Sequence, residues 1–213
     1  MFVHGHRFWS LKLIVSRFQA AGYALAAVLM AASMLPNTAF ADDMSWPSAG
    51  IRPAVYKAAM AAFRAHAPAV TNDHVMAIID YGLPSSTPRL FVLERDTGRV
   101  MSYLVAHGVG SDPDHTGVAK NFANTKDSRA SSLGTYVTEN PYNGEHGLSL
   151  RLKGLDPTND NAEARAIVLH GAEYVHSGEP VIGRSWGCPA VEPSVAGRLV
   201  EELQGGSLLF AAN

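Results

Sequence analysis

The sequence predicts a mainly β domain with a few short helices, and three observations carry that expectation. The apolar or alternating runs are short, at Val75–Asp80, Leu90–Glu94, Val100–Ala106 and Arg165–Leu169, and most are rich in Val, Ile and Leu. Only two segments place apolar residues at helical spacing. Between His107 and Asn161 the chain is dense in Gly, Ser, Asn, Asp and Pro, and loops of that length in a small domain usually carry function.

Taken in order, Asp42–Arg52 is rich in Ser, Pro and Gly and reads as a flexible lead-in. Pro53–Ala67 sets Val55, Ala58, Ala59, Ala62 and Phe63 at helical spacing, with Pro53 suited to a first turn and Pro68 ending the helix. Leu90–Glu94 and Val100–Ala106 flank Arg95-Asp96-Thr97-Gly98, a hairpin-like turn. Arg165–Leu169 reads as a strand ending at His170. Pro193–Gln204 puts Val195, Leu199, Val200 and Leu203 on one helical face, Gly205-Gly206 stops it, and Ser207–Ala211 closes as a strand. There is no internal repeat. The expected organisation is a leader over 1–41, a lead-in and helix over 42–74, and the domain that carries the chemistry over 75–213.

The leader is argued from charge. Arg7, Lys12 and Arg17 make a basic start with no acid, Ala20–Leu35 is uncharged and mostly apolar, and Ala39-Phe40-Ala41 has the small-x-small pattern of a cleavage site. The apolar run is short of the roughly 20 residues a membrane span needs. Cleavage after Ala41, export, and no membrane anchor afterwards are therefore expected; an uncleaved N-terminal anchor is the alternative. Losing three basic residues moves the formal charge from −2 to about −5, which excludes the basic footprint of a nucleic-acid binder.

Cys188 is the only cysteine of the 213 residues, so no internal disulfide is possible. In an exported chain an odd cysteine points to a reactive thiol or an intermolecular bridge. It lies in Gly183-Arg184-Ser185-Trp186-Gly187-Cys188-Pro189-Ala190-Val191, where Gly and Pro mark a tight turn. His170-Gly171 stands fourteen residues before Ser185. A thiol attacks as thiolate, and an imidazole takes its proton near neutral pH. The amides of Gly187 and Cys188 are candidate oxyanion donors, and the Gly171 carbonyl is a candidate to hold the His170 tautomer. This pattern is that of acyl transfer through a thioester. Neither a metal nor an organic cofactor is expected. Asp112-Pro113-Asp114-His115, with His107, His146 and His176, offers metal-friendly side chains, but His-x-His and His-Glu-x-x-His spacings are missing. Those histidines read equally well as core or capping residues.

His170-Gly171 followed by Ser185-Trp186-Gly187-Cys188 resembles the active-site signature of the L,D-transpeptidases that modify peptidoglycan, the YkuD-type catalytic domain. The departure is Trp186, where the main branch has histidine. Gly-Arg-Ser-Trp-Gly-Cys-Pro-Ala-Val is instead similar to a divergent branch, murein L,D-transpeptidase catalytic domain-like. So are Asn121–Asn124, Ser131–Gly134, Tyr142–Leu150 and Gly205–Ser207. The resemblance implies a sandwich or barrel-like β fold in the periplasmic cell-wall compartment, with stem peptides as partners. It implies Cys188 as nucleophile and His170 as base, with Ser185 and Gly187 shaping the turn. It also implies that carbapenems acylate Cys188. Substrate carboxylates call for basic groups, and among Lys120, Lys126, Arg129, Arg151 and Arg184 the last is favoured. Tyr142, His146 and Ser149 are expected cleft residues, Ser185 is expected to touch substrate besides shaping the turn, and Trp186 reads as either a stacking platform or a packing residue. The rivals are an L,D-carboxypeptidase, a wall metallopeptidase and a non-catalytic wall-binding module. The sequence leaves oligomeric state and acceptor open.

Overall fold

The computed structural model describes residues 50–213; the expected leader and its cleavage point after Ala41 lie outside them. Helix α1 (Pro53–His66) begins on Pro53, whose missing N–H costs nothing in a first turn, and gives way before Pro68 to a short 3₁₀ turn. Strands β1 (Val75–Asp80) and β2 (Leu90–Glu94) pair antiparallel, and β2 pairs with β3 (Val100–Tyr103) across the expected hairpin turn. The segment expected to be loop contains two further strands, β4 (Gly134–Gly144) and β5 (Gly147–Gly154), which form a long antiparallel hairpin. Then come β6 (Val168–Gly171), the two-residue β7 (Ala190–Val191), helix α2 (Pro193–Leu203) and β8 (Leu208–Ala212).

The strands form one eight-stranded sheet in the order β3-β2-β1-β8-β4-β5-β6-β7. Past β3, Ala106 bridges to Ala190 of β7, at the other end of that order, with its N–H 2.8 Å from the Ala190 carbonyl. This contact curls the sheet into a mostly β, barrel-like fold with two short helices. Strand β1 is buried at every position, which explains the apolar run from Val75 to Ile79. Its alternating side chains feed two cores. Met76 and Ile78 pack with Val55, Ala59 and Met60 of α1, whereas Val75, Ala77 and Ile79 join the cluster containing Leu199, Val200 and Leu203 of α2.

Two sequence expectations need correction. The strand read over Arg165–Leu169 begins at Val168 instead, because Ala166 adopts φ +53° and breaks the extended run. Strand β4 was hidden by its polarity. Thr138 is buried there because its hydroxyl donates to the Leu203 carbonyl and accepts the Ser207 N–H, a role that strand propensity does not encode.

Leu169 is fully buried next to His170 in β6 and belongs to the α2-side core. Leu169→Ala is expected to cost about 2–5 kcal/mol of stability, read from the shift of a urea transition. A loss below about 1 kcal/mol would show that β6 is not anchored by this core.

Candidate functional site

Strand β6 delivers His170 and strand β7 fixes the segment that follows Cys188. The two pair in parallel, with His170 opposite Ala190 and the His170 N–H bonded to the Pro189 carbonyl at 3.3 Å. On the other side of β6, Ser149 of β5 lies opposite His170. A thiol-bearing turn and an imidazole-bearing strand, eighteen positions apart, therefore meet through register.

His170 is only 2% exposed, and its Nδ1 lies 2.9 Å from the Gly171 carbonyl. A carbonyl only accepts, so Nδ1 carries the proton and Nε2 keeps its lone pair. Burial holds His170 below the ordinary imidazole value; the Gly171 carbonyl opposes that shift and His146 adds to it. The His146 ring stacks on His170, with centroids 4.2 Å apart and planes 21° from parallel.

The Cys188 thiol faces the Ala166 carbonyl at 3.8 Å rather than His170. Burial pushes this thiol up from its ordinary value, while the Val168 amide and the Arg165 charge pull it down. Both groups are thus neutral near pH 7, a thiol and a free base rather than an ion pair.

The turn before Cys188 is closed by its own polar groups. Ser185 Oγ donates to the Cys188 carbonyl at 2.6 Å and accepts the Gly187 N–H at 3.1 Å. Two expectations change here. The Gly187 amide, expected to face an oxyanion, is instead hydrogen-bonded inside the turn, which leaves the Cys188 amide without a hydrogen-bond partner among the described residues. Ser185 is buried and engaged, so it shapes the turn instead of touching a ligand. Gly187 is required on two counts. Its φ is +122°, and a Cβ there would stand 2.9 Å from the Ala130 carbonyl oxygen.

Arg184 also differs from expectation, because its Nη1 donates to the carbonyls of Asp112 and Pro113. The guanidinium whose charge reaches the thiol is Arg165. It donates to the carbonyls of Ala123 and Ala130 and to Ser132 Oγ, stapling the long loop beside Cys188. Sequence reading passed over Arg165 because it heads an apolar run. Its neighbour Ala166, which receives the thiol, was the missed signal.

Arg165, Ala166 and Trp186 line a cavity of about 430 Å³ together with Lys126, Asp127 and Arg129. Trp186 is 71% exposed and carries the Arg129 guanidinium 4.2 Å from its ring centroid, so it is not a packing residue. Asp127, Arg129 and Ala166 all have positive φ, a strain of order 1 kcal/mol each that clusters at functional sites. On the imidazole side, Gly171 and His146 line a second cavity of about 490 Å³. Tyr142 lies under the Arg151 guanidinium, and the Ser149 hydroxyl is buried and donates to the Gly147 carbonyl. Asp112 does approach His107, but its carboxylate is held by Thr116 and Gly117, while His115 turns to the Ile182 carbonyl.

Iodoacetamide alkylation of Cys188 should titrate above the ordinary cysteine value, and Arg165→Met should move its midpoint higher still. A midpoint at or below the ordinary value, or one unmoved by the variant, would contradict the charge relation between these two residues.

A family model described as L,D-transpeptidase catalytic domain matches residues 47–212. No curated relative matches the chain. Similar solved structures include an L,D-transpeptidase from Mycobacterium smegmatis, at 12% identity over 66% of this chain and 59% of that one, with a TM-score of 0.43. One from Xylanimonas cellulosilytica is 14% identical over 67% of this chain and 63% of that one, with a TM-score of 0.40. One from Stackebrandtia nassauensis is 16% identical over 77% and 72%, again with a TM-score of 0.40. The chain spans less than two thirds of the first two. With the family model covering nearly every described residue, the chain belongs to the L,D-transpeptidase catalytic-domain family.

Proposed function

We propose that this protein is an exported, cysteine-dependent L,D-transpeptidase that acts on peptidoglycan stem peptides. The observation that carries the reading is the β6–β7 register, which sets a tautomer-locked His170 beside the segment bearing the sole cysteine. His170 Nε2 takes the Cys188 proton as Sγ attacks the carbonyl at the L-centre of a diaminopimelate residue. The amide C–N bond to the following D-alanine breaks, and His170 returns the proton to the leaving amine. An amine of a second stem then attacks the thioester. A new amide forms, the C–S bond breaks, and the proton passes through His170 back to sulfur.

The Cys188 amide stabilises the developing oxyanion. The cavity bearing Lys126, Arg129, Arg165 and Trp186 receives the anionic donor stem, its carboxylates drawn to the guanidinium groups and its side chains to the exposed indole. His146 covers the outer face of His170 and keeps its ring in plane. The leader directs export and is removed by cleavage after Ala41. Water replacing the acceptor amine would make the same site an L,D-carboxypeptidase.

Mature protein incubated with disaccharide tetrapeptide should release D-alanine and yield Cys188-dependent dimers in mass spectra. Tripeptide with no dimer would favour the hydrolase, and fragments left unchanged would favour a binding module. His170→Ala should slow carbapenem acylation of Cys188 by about 10²–10⁴-fold while the fold persists; an equal rate would remove His170 as the base.

The pH dependence has a defined sign. A base whose pKa is lowered stays unprotonated further into acid, so the acid limb of wild-type acylation should lie below about pH 6.5. A limb at or above that value would contradict the burial of His170.

A further inference from the structure

Beneath the nucleophile turn lies a charged cluster that the chemistry above does not use. Arg89, just before β2, is completely buried, and Tyr81 offers its ring 5.2 Å from the guanidinium carbon. Nε and Nη2 of Arg89 both donate to the Val105 carbonyl, and Nη1 donates to the Leu83 carbonyl. Nη2 also lies 2.7 Å from Nδ1 of His107, which is 1% exposed. Arginine has no acceptor, so His107 Nδ1 must accept and its proton must sit on Nε2. That Nε2 is 3.4 Å from Asp112 Oδ2 and has no hydrogen-bond partner among the described residues.

The main chain of the same histidine carries the turn. The His107 carbonyl accepts the Ser185 N–H at 3.0 Å, and the Val109 N–H donates to the Ser185 carbonyl at 2.8 Å. Between them, the Gly108 N–H donates to Ser131 Oγ, which donates in turn to the Gly187 carbonyl at 3.2 Å. Backbone contact is close enough that a Cβ on Gly108 would stand 2.9 Å from Gly187 Cα. Any shift of His107 is passed directly to Ser185 and Gly187, the residues that close the turn on Cys188.

We propose that the Arg89–His107 pair is a positioning element for the nucleophile turn, resting on the reading of Cys188 as nucleophile. It works only while the imidazole is neutral. Arg89 and Arg184 are the cations that act on His107, Asp112 is the carboxylate facing it, and Tyr81 presents an uncharged ring edge. The Asp112 carboxylate already accepts three hydrogen bonds from Thr116 and Gly117. A second proton on His107 would place two donors against each other at Nδ1 and a second cation beside Arg89. Burial and Arg89 accordingly hold its pKa down to about 4. His107 stays neutral through the working range, and acid below it releases the turn. Arg89 and His107 are positioning residues, since nothing places them against substrate.

The test compares full-length wild type with His107→Asn and His107→Leu. Asparagine offers an acceptor oxygen near the position of Nδ1 and does not titrate; leucine offers none. At pH 7.5 the Asn variant should keep Cys188 alkylation by iodoacetamide and acylation by a carbapenem within about threefold of wild type. The Leu variant should lose about 10²-fold in acylation, the scale of a misplacement of about 1 Å. Between pH 5 and 3, log acylation rate should fall more steeply in wild type than in the Asn variant, because only the former loses two neutral histidines. Equal losses in the Asn and Leu variants, or a folded Leu variant at wild-type rate, would overturn the proposal. If the Leu variant does not fold, identical acid slopes for wild type and the Asn variant would overturn it instead. Iodoacetamide reads the turn without any stem peptide or β-lactam, so failure of carbapenem acylation in wild type would count against the enzymatic reading alone.

Discussion

Two residues of parallel pairing hold this site together. Strand β7 is only Ala190–Val191, yet it fastens to His170 and Gly171 on one side and to Ala106 on the other. The first attachment brings imidazole and thiol into one neighbourhood. The second closes the curl of the sheet and lays the His107–Val109 backbone against the turn that precedes Cys188. Without β7 the fold would keep its hairpins, but the chain from Ala172 to Pro189 would have no reason to return to β6.

The site is built from neutral groups under restraint rather than from a ready-made ion pair. Burial opposes charge on both His170 and Cys188. The thiol gives its hydrogen to the Ala166 carbonyl in this state, so the proposed attack would need it to turn toward Nε2 of His170. Such a thiol resists adventitious oxidation, since reactivity follows thiolate character. Arg165 counterbalances the burial with a charge held in place by the loop it staples.

Legibility differed by element for physical reasons. Both helices, the first three strands and the last were readable because their apolar spacing records simple burial on one or two faces. Strand β5 was read as loop although Leu148, Leu150 and Leu152 alternate with polar residues, because the surrounding glycines masked it. Strand β4 was not readable, because Thr138 is buried by hydrogen bonds that exist only after β8 and α2 have packed. Cys188 and His170 stood out as residue types in a Gly-rich context. Arg165 and Arg89 did not, since an arginine bound to main-chain carbonyls looks like a surface one until those partners are known.

The central claim is a covalent bond between Cys188 and the donor stem. Acid quenching of wild-type protein within seconds of mixing with tetrapeptide fragment, followed by intact-protein and peptide mass spectrometry, tests it directly. The account predicts an adduct equal to the donor fragment less D-alanine, confined to the peptide containing Cys188 and absent from Cys188→Ala. D-alanine released with no adduct at any quench time, or the same adduct on Cys188→Ala, would contradict it.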